Sequence, residues 1–133
     1  MAEMVASLKP YVDTLDKRLH QKFNRPIVLT ETGVCSGPNA CARTHSSPTP
    51  AGLANQANHY EAWFLATEGK DWFLGAFWWN WDSDPAYAPD VCNNPAWKPA
   101  EDVLRKYYRA TQPKPPKPTQ FAPQCVGVGR CTC

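Results

Sequence analysis

The sequence predicts an α/β fold in which parallel strands alternate with helices. Three stretches carry apolar residues at steps of three and four, the spacing that puts side chains on one face of a helix. Two short apolar runs without polar alternation lie between them, as in strands that are buried on both faces. Loops rich in Gly, Pro, Asn and Asp follow both runs. This order of elements is typical of a parallel sheet covered by helices.

The first helix is predicted over residues 8–22. Ser7 is placed as its cap and Pro10 in its first turn, where a missing N–H costs nothing. The segment 24–26, Asn-Arg-Pro, ends the helix because the residue before a proline avoids the helical region. Its apolar stripe consists of Met4, Leu8, Tyr11, Val12, Leu15, Leu19 and Phe23.

The first strand is predicted over residues 27–30, and the second over residues 72–81. Between them, residues 51–68 return to helical spacing, with Leu53, Ala57, Tyr60 and Phe64 on the inner face and Gly69 at the stop. Pro99 opens the third helix. Its inward residues are Val103, Leu104, Tyr107 and Tyr108.

Length and charge limit the classes of function. The chain has 133 residues, too few for a complete (β/α)₈ barrel, which needs about 200–250. With 14 Lys and Arg against 12 Asp and Glu, the net charge of +2 gives no reason to expect a nucleic-acid or membrane partner. No apolar run reaches the ~20 residues of a membrane span, and the N-terminus has no apolar core of a signal peptide.

Six cysteines in so short a chain favour an oxidising compartment, so we expect an extracellular or secretory-pathway location for the full-length protein. Since this chain carries no signal peptide, we also expect Met1 not to be the biological start and the chain to be the C-terminal part of a longer protein. The candidate disulfide cysteines are Cys35, Cys41, Cys92, Cys125, Cys131 and Cys133.

The pairing of these cysteines stays open. A local Cys35–Cys41 bridge and a bridge from Cys92 to either of them are alternatives. Structural zinc is the competing interpretation, but the sequence lacks the C-x₂-C knuckle that zinc sites commonly use. We predict three regions: a main domain over residues 1–111, a Pro/Lys-rich linker over 112–120, and a Cys-rich tail or truncated module over 121–133.

The candidate chemistry lies where the two strands end. Glu31 directly follows an apolar strand, an unexpected place for a charge, and strict alternation would put it on one face with Ile27 and Leu29. Trp81 ends the second strand, on one face with Trp79. A carboxylate can attack an anomeric carbon, and indole rings stack on the C–H faces of sugars. The alternatives are a loop carboxylate that binds backbone N–H groups and tryptophans that pack in the core.

Four segments carry a resemblance to a known family. They are PIVLTETGV at residues 26–34, NQANHYEAWF in the second helix, WFLGAFWWNWD at 72–82, and WKPAEDVLRKYY at the start of the third helix. Together they resemble glycoside hydrolase family 113, the β-mannanase-like group, over about residues 8–110. The resemblance implies the C-terminal portion of a (β/α)₈ TIM barrel, with about two parallel strands and three helices.

The resemblance also implies the roles of the site residues. Glu31 corresponds to the nucleophile of a retaining glycosidase and Trp81 to the aromatic floor under the sugar, while Trp79, Asn80 and Asp82 are substrate-binding candidates. Oligo- or polysaccharide is the expected partner, and no metal or cofactor is expected.

The acid/base glutamate of this family follows the fourth strand of the barrel, and no such segment is found here. Because double displacement needs two carboxyl groups about 5–5.5 Å apart, we expect this chain to be inactive alone. The missing N-terminal half of the barrel is expected in the full-length protein. The alternatives are a carbohydrate-binding fragment that does not cleave sugar and a disulfide-stapled secreted interaction protein.

Overall fold

The computed structural model describes residues 1–37, 48–84 and 93–109, which form helices packed on a parallel sheet. The predicted α/β class, with two parallel strands and three helical segments in this part of the chain, is confirmed. In chain order the elements are α1 (Ala2–Leu15), a π-helical turn (Asp16–His20), α2 (Gln21–Phe23), β1 (Ile27–Thr32), α3 (Pro50–Thr67), β2 (Phe73–Trp78) and α4 (Pro99–Arg109).

The first helix differs from the prediction in where it begins. α1 starts at Ala2 rather than at residue 8, so Pro10 lies inside the helix instead of in its first turn. A proline there removes one backbone hydrogen bond, and the hydroxyl of Thr14 donates 2.8 Å to the carbonyl oxygen of Pro10. The predicted apolar stripe is only partly buried: Leu8 and Val12 are covered where α1 packs on α3, while Tyr11 stays exposed.

The two strands pair in parallel, with Ile27 opposite Phe73 and Thr32 opposite Trp78. The register shifts between Leu29 and Thr32, so β1 has one more residue there than β2. Such a bulge interrupts the alternation of side chains. Ile27 and Leu29 are half-buried while Glu31 is exposed, so the expectation that the three share one face is wrong.

Aromatic side chains join the helices to β2. Tyr60 of α3 is fully buried and stacks on Trp78 with 4.3 Å between ring centroids. The indole N–H of Trp78 donates 2.8 Å to the hydroxyl of Tyr108, which itself donates 3.1 Å to the carbonyl oxygen of Ala76. Leu104 of α4 completes this core, as the helical spacing predicts. These contacts hold the C-terminal end of β2 against α3 and α4.

Acidic side chains stabilise the start and the side of α4. Glu101 accepts a 2.6 Å hydrogen bond from the backbone N–H of Trp97 and pairs with Arg105, and both contacts hold its pKa below the usual range. Glu61 of α3 pairs with Lys106 at 2.6 Å, which lowers the pKa of this carboxyl. The pair joins α3 to α4 at the surface.

Several sequence predictions concern residues outside the described ranges. The linker 112–120, the tail 121–133 and five of the six cysteines lie outside the described residues, so the domain boundaries stay predictions.

Across the described ranges, no helix is both long enough and apolar enough to span a membrane. The same ranges hold no group of three or more His, Cys, Asp or Glu side chains arranged for a metal ion.

Candidate active site

The C-terminal ends of the two strands are joined through their backbones. The N–H of Trp79 donates 2.7 Å to the carbonyl oxygen of Thr32, directly after Glu31. Gly33 then lies so close to Trp79 that a Cβ added there would meet the Trp79 carbonyl oxygen at 2.2 Å. Only a residue without a side chain allows this approach. Glu31 and Trp79 therefore sit on adjacent strand ends, as expected for a site at the carboxyl edge of a parallel sheet.

Exposed side chains crowd this edge. The carboxylate of Glu31 is exposed, and Trp79 and Trp81 are 55% and 52% exposed. Trp78 instead packs against the aromatic core. Core packing therefore accounts for Trp78 but not for the exposed Trp79 and Trp81. Two large indoles left open on the segment that follows β2, next to the strand end that bears a carboxylate, are suited to bind a ligand with apolar C–H faces.

Asn80 and Asp82 follow in the same segment. The Trp79–Asn80 peptide bond is cis, and Asn80 is half-buried. One carboxylate oxygen of Asp82 accepts a 2.9 Å hydrogen bond from the backbone N–H of Asp84, which makes it part of a turn. The backbone N–H of Asp82 donates 3.1 Å to the side-chain oxygen of Asn94. Asp82 thus has a structural role here in addition to the predicted contact with substrate.

A buried polar cluster behind the strand ends was missed from the sequence. Gln56 of α3 is fully buried, and its amide nitrogen donates 2.9 Å to the carbonyl oxygen of Val34. The hydroxyl of Tyr60 donates 3.0 Å to the carbonyl oxygen of Asn93. The signal available was the position of Gln56 on the inner stripe of α3, four residues before Tyr60, where an apolar residue is expected.

Cys35 belongs to this cluster. It is buried, and its thiol donates 3.0 Å to the side-chain oxygen of Asn93. The described residues show no disulfide, so the disulfide framework predicted from the cysteine count is not supported at Cys35. The other five candidates, Cys41, Cys92, Cys125, Cys131 and Cys133, lie outside the described residues.

Burial shifts two pKa values on α3. Burial raises the pKa of Tyr60, with a smaller contribution from nearby Cys35, so the phenol stays protonated and donates to Asn93. Burial lowers the pKa of His59, because the charged imidazolium loses its hydration. The neutral ring accepts a 3.2 Å hydrogen bond at Nε2 from the indole of Trp63. Neither group reaches the strand ends, and neither is a candidate acid or base for the site.

The chemistry open to this arrangement follows from the side chains at the strand ends. An exposed carboxylate at a strand end can act as nucleophile, and the adjacent indoles can hold a sugar ring. In the described part of the chain, the acidic residues near the C-terminal strand ends are Glu31, which is the second-last residue of β1, and Asp82 and Asp84, which follow β2. Asp82 is engaged in its turn, so no partner carboxylate for Glu31 stands out among them.

The chain is similar to a known protein family and to several solved structures. The sequence model of Glycoside Hydrolase Family 113 matches residues 4–98. A GH113 β-mannanase from Alicyclobacillus acidocaldarius, solved in complex with ManMIm, is 29% identical to the chain with a TM-score of 0.63. A GH113 β-1,4-mannanase solved as a complex is 20% identical with a TM-score of 0.66. A further structure of a GH113 β-1,4-mannanase is 21% identical, also with a TM-score of 0.66.

Each of these alignments covers 80% of this chain and 36% of the matched chain. The matched enzymes are thus much longer, and the described strands and helices correspond to part of a TIM barrel. No curated protein matches the sequence. The match of the family model over most of the chain is decisive: the chain belongs to Glycoside Hydrolase Family 113.

Proposed function

We propose that the chain is the nucleophile-bearing part of a retaining glycoside hydrolase that acts on β-linked, mannan-like polysaccharide. Glu31 is the proposed nucleophile, and Trp79 and Trp81 are the proposed sugar platforms. The observation that carries the proposal is the hydrogen bond from Trp79 N–H to Thr32 O, which brings the carboxylate-bearing and indole-bearing strand ends side by side. The family match and the mannanase neighbours support the substrate class.

The proposed reaction is a double displacement. In the first step a carboxylate oxygen of Glu31 attacks the anomeric carbon and forms a glycosyl ester, while the bond to the leaving-group oxygen breaks. That oxygen needs a proton from a second carboxyl group. In the second step water attacks the anomeric carbon of the glycosyl ester and gives its proton to the same second group, while the bond from that carbon to the Glu31 oxygen breaks and frees the carboxylate. The stereochemistry at the anomeric carbon is inverted twice and thus retained.

The second carboxyl group is proposed to come from a part of the barrel that this chain does not contain. The matched mannanases are much longer than the chain, and only 36% of each is covered. The two strands also expose large apolar side chains, with Leu74 and Phe77 at 69% and 67%. In a closed barrel such side chains pack against other strands. We therefore propose that the remainder of a barrel covers this sheet in the working enzyme.

Secretion and disulfide bonding form a separate part of the proposal. They rest on the six cysteines of the sequence, since oxidising compartments favour this composition. Thiol alkylation before and after reduction, followed by mass spectrometry of the protein secreted by its host, counts the cysteines that are in disulfides. Alkylation of all six without reduction would overturn this part alone.

Activity measurements test the main proposal. The purified chain is expected to give no turnover of mannan or of an aryl β-mannoside, because protonation of the leaving group is missing. Turnover that Glu31→Gln abolishes would overturn the claim that the chain lacks the acid/base. Mixing the chain with the remaining part of the Alicyclobacillus acidocaldarius enzyme should restore turnover, and Glu31→Gln should remove it while Glu68→Gln, an exposed control on α3's C-terminal side, should not.

The second candidate is a sugar-binding fragment without catalysis. The exposure of Trp79 and Trp81 favours it, because indole platforms work in binding as well as in cleavage. The mixing experiment separates the two candidates. Mannooligosaccharide binding by the chain, combined with a mixture that folds but never turns over substrate, would favour the binding fragment.

A further inference from the structure

We propose that Gln56, Asn93 and Asn94, here called the amide brace, are positioning residues that hold the two strand ends of the site in register. The inference rests on the proposed function, because the strand ends matter as the carriers of Glu31 and Trp79. The brace acts on the strand ends through hydrogen bonds to the backbone: Gln56 and Asn94 are buried, and Asn93 accepts from Gln56 and Tyr60 at its carbonyl oxygen.

Gln56 holds the end of β1. Its amide nitrogen donates 2.9 Å to the carbonyl oxygen of Val34, which lies three residues after Glu31. α3 itself is fixed against the same segment, because a Cβ added at Gly52 would meet the carbonyl oxygen of Ser36 at 2.1 Å. A rigid helix therefore carries the donor, and the donor sets the path of the chain that follows the nucleophile.

Asn94 holds the end of β2 in an equivalent way. Its side-chain oxygen accepts 3.1 Å hydrogen bonds from the backbone N–H groups of Asp82 and Ala96. Asp82 lies three residues after Trp79, as Val34 lies three residues after Glu31. Asn94 is 1% exposed, so water cannot substitute for a lost acceptor. One buried amide therefore fixes the chain beyond each of the two strand ends.

Asn93 connects the two halves of the brace. Its carbonyl oxygen accepts from the hydroxyl of Tyr60 at 3.0 Å and from the amide nitrogen of Gln56 at 3.5 Å. Its side-chain oxygen accepts from the thiol of Cys35 at 3.0 Å. Asn93, in the segment before α4, thus accepts hydrogen bonds both from α3 and from the segment after β1. A shift of either strand end would break hydrogen bonds that the other strand end depends on.

A pair of substitutions at Asn94 tests the brace. Asn94→Leu removes the acceptor, whereas Asn94→Asp keeps it and replaces the Nδ2 group, which has no hydrogen-bond partner among the described residues, by an oxygen of a carboxyl group that burial favours in the uncharged form. Residue-resolved amide hydrogen exchange at pH 7 is the measurement. In Asn94→Leu the amides of Trp79 and Asp82 should exchange about tenfold faster, the loss expected for one buried hydrogen bond. In Asn94→Asp they should stay near the wild-type rates.

The control and a second variant make the result decisive. Lys106→Met breaks the surface ion pair between α4 and Glu61 of α3 and should leave the rates at Trp79 and Asp82 unchanged. If Asn94→Leu does not fold, Gln56→Met, which keeps the shape and removes the donor, should speed exchange over residues 33–37 and at Trp79. Uniformly faster exchange along the chain, or unchanged rates at the strand ends, would overturn the brace.

Titration with mannohexaose links the brace to the site. Asn94→Leu should weaken binding about tenfold or more, and Asn94→Asp should bind like the wild type. If the wild-type chain binds no mannohexaose, the proposed sugar site fails, while the exchange pattern still decides whether the brace holds the strand ends. If the exchange pattern is as expected but Asn94→Leu binds sugar like the wild type, the brace is structural only and the inference is wrong.

Discussion

Trp79 donates its backbone N–H to the carbonyl oxygen of Thr32 at 2.7 Å, and this contact extends the pairing of the two strands to the residues that follow Glu31 and Trp78. Gly33 packs against the carbonyl group of the same Trp79. These two contacts hold the strand end that bears the proposed nucleophile against the strand end that bears the proposed sugar platform. Loss of the contacts should disturb the proposed nucleophile and the proposed sugar platform together.

Gly33→Ala is expected to separate the strand ends. The added methyl group would overlap the Trp79 carbonyl oxygen, and the backbone must shift to accept it. We expect a loss of about 1–3 kcal/mol in the free energy of unfolding, typical of overpacking, measured by urea denaturation. Thr30→Ala, on the same strand and exposed, is the control. Equal effects of the two substitutions would mean that the Gly33 contact has no special cost.

Tyr60 is expected to contribute through both its ring and its hydroxyl. Tyr60→Phe removes the hydrogen bond to Asn93 and should cost about 1 kcal/mol of stability. Tyr60→Ala also removes the stacking on Trp78 and should cost about 3–5 kcal/mol. Leu65→Ala, on the exposed side of α3, should cost much less. Urea denaturation measures the free energy of unfolding of all three variants. A Tyr60→Phe variant as stable as the wild type would show that the hydroxyl does not stabilise the fold.

His59 is expected to make stability depend on pH. Burial holds its pKa in the folded state below 6.5, so in the pH range between the two values the unfolded state binds more protons. The free energy of unfolding should therefore fall as the pH drops through 6.5 toward the folded-state pKa. His59→Gln should flatten this part of the curve. An unchanged slope in that variant would show that His59 does not cause the dependence.

The exposed strand residues are expected to drive self-association. Leu74 and Phe77 leave two large apolar side chains open on β2, and such surfaces bind other apolar surfaces. Leu74→Lys combined with Phe77→Lys should shift the chain toward monomer in sedimentation velocity. Tyr11→Lys, at an equally open position on α1, is the control. A monomeric wild-type chain with one cooperative thermal transition would contradict this expectation.

The order of elements could be predicted because it depends on local patterns. The steps of three and four from Leu53 through Ala57 and Tyr60 to Phe64 predict α3. Pro99 predicts the first residue of α4. The start of α1 could not be predicted in the same way. Pro10 is placed by rule at the first turn, but the helix continues through it to Ala2.

The strand ends show what the pattern cannot give. Strict alternation places Glu31 with Leu29, but the extra residue in β1 breaks the alternation between them. A bulge depends on pairing with the partner strand, and the sequence of one strand does not encode it. The approach of Gly33 to Trp79 and the amide brace likewise depend on residues far apart in the chain. Glu31 and Trp81 could be proposed as site residues from the sequence because each adjoins an apolar run whose end is visible there.

The indole N–H resonances of the chain test the sugar site most directly. Six tryptophans give six such signals, which single Trp→Phe variants assign. On titration with mannohexaose, the signals of Trp79 and Trp81 should shift with one common saturation curve. Those of Trp72, which is buried, of Trp78, which packs into the aromatic core, and of Trp97, the exposed tryptophan before α4, should not move. Unmoved signals of Trp79 and Trp81, or a shift at Trp97 alone, would contradict a sugar site at these strand ends.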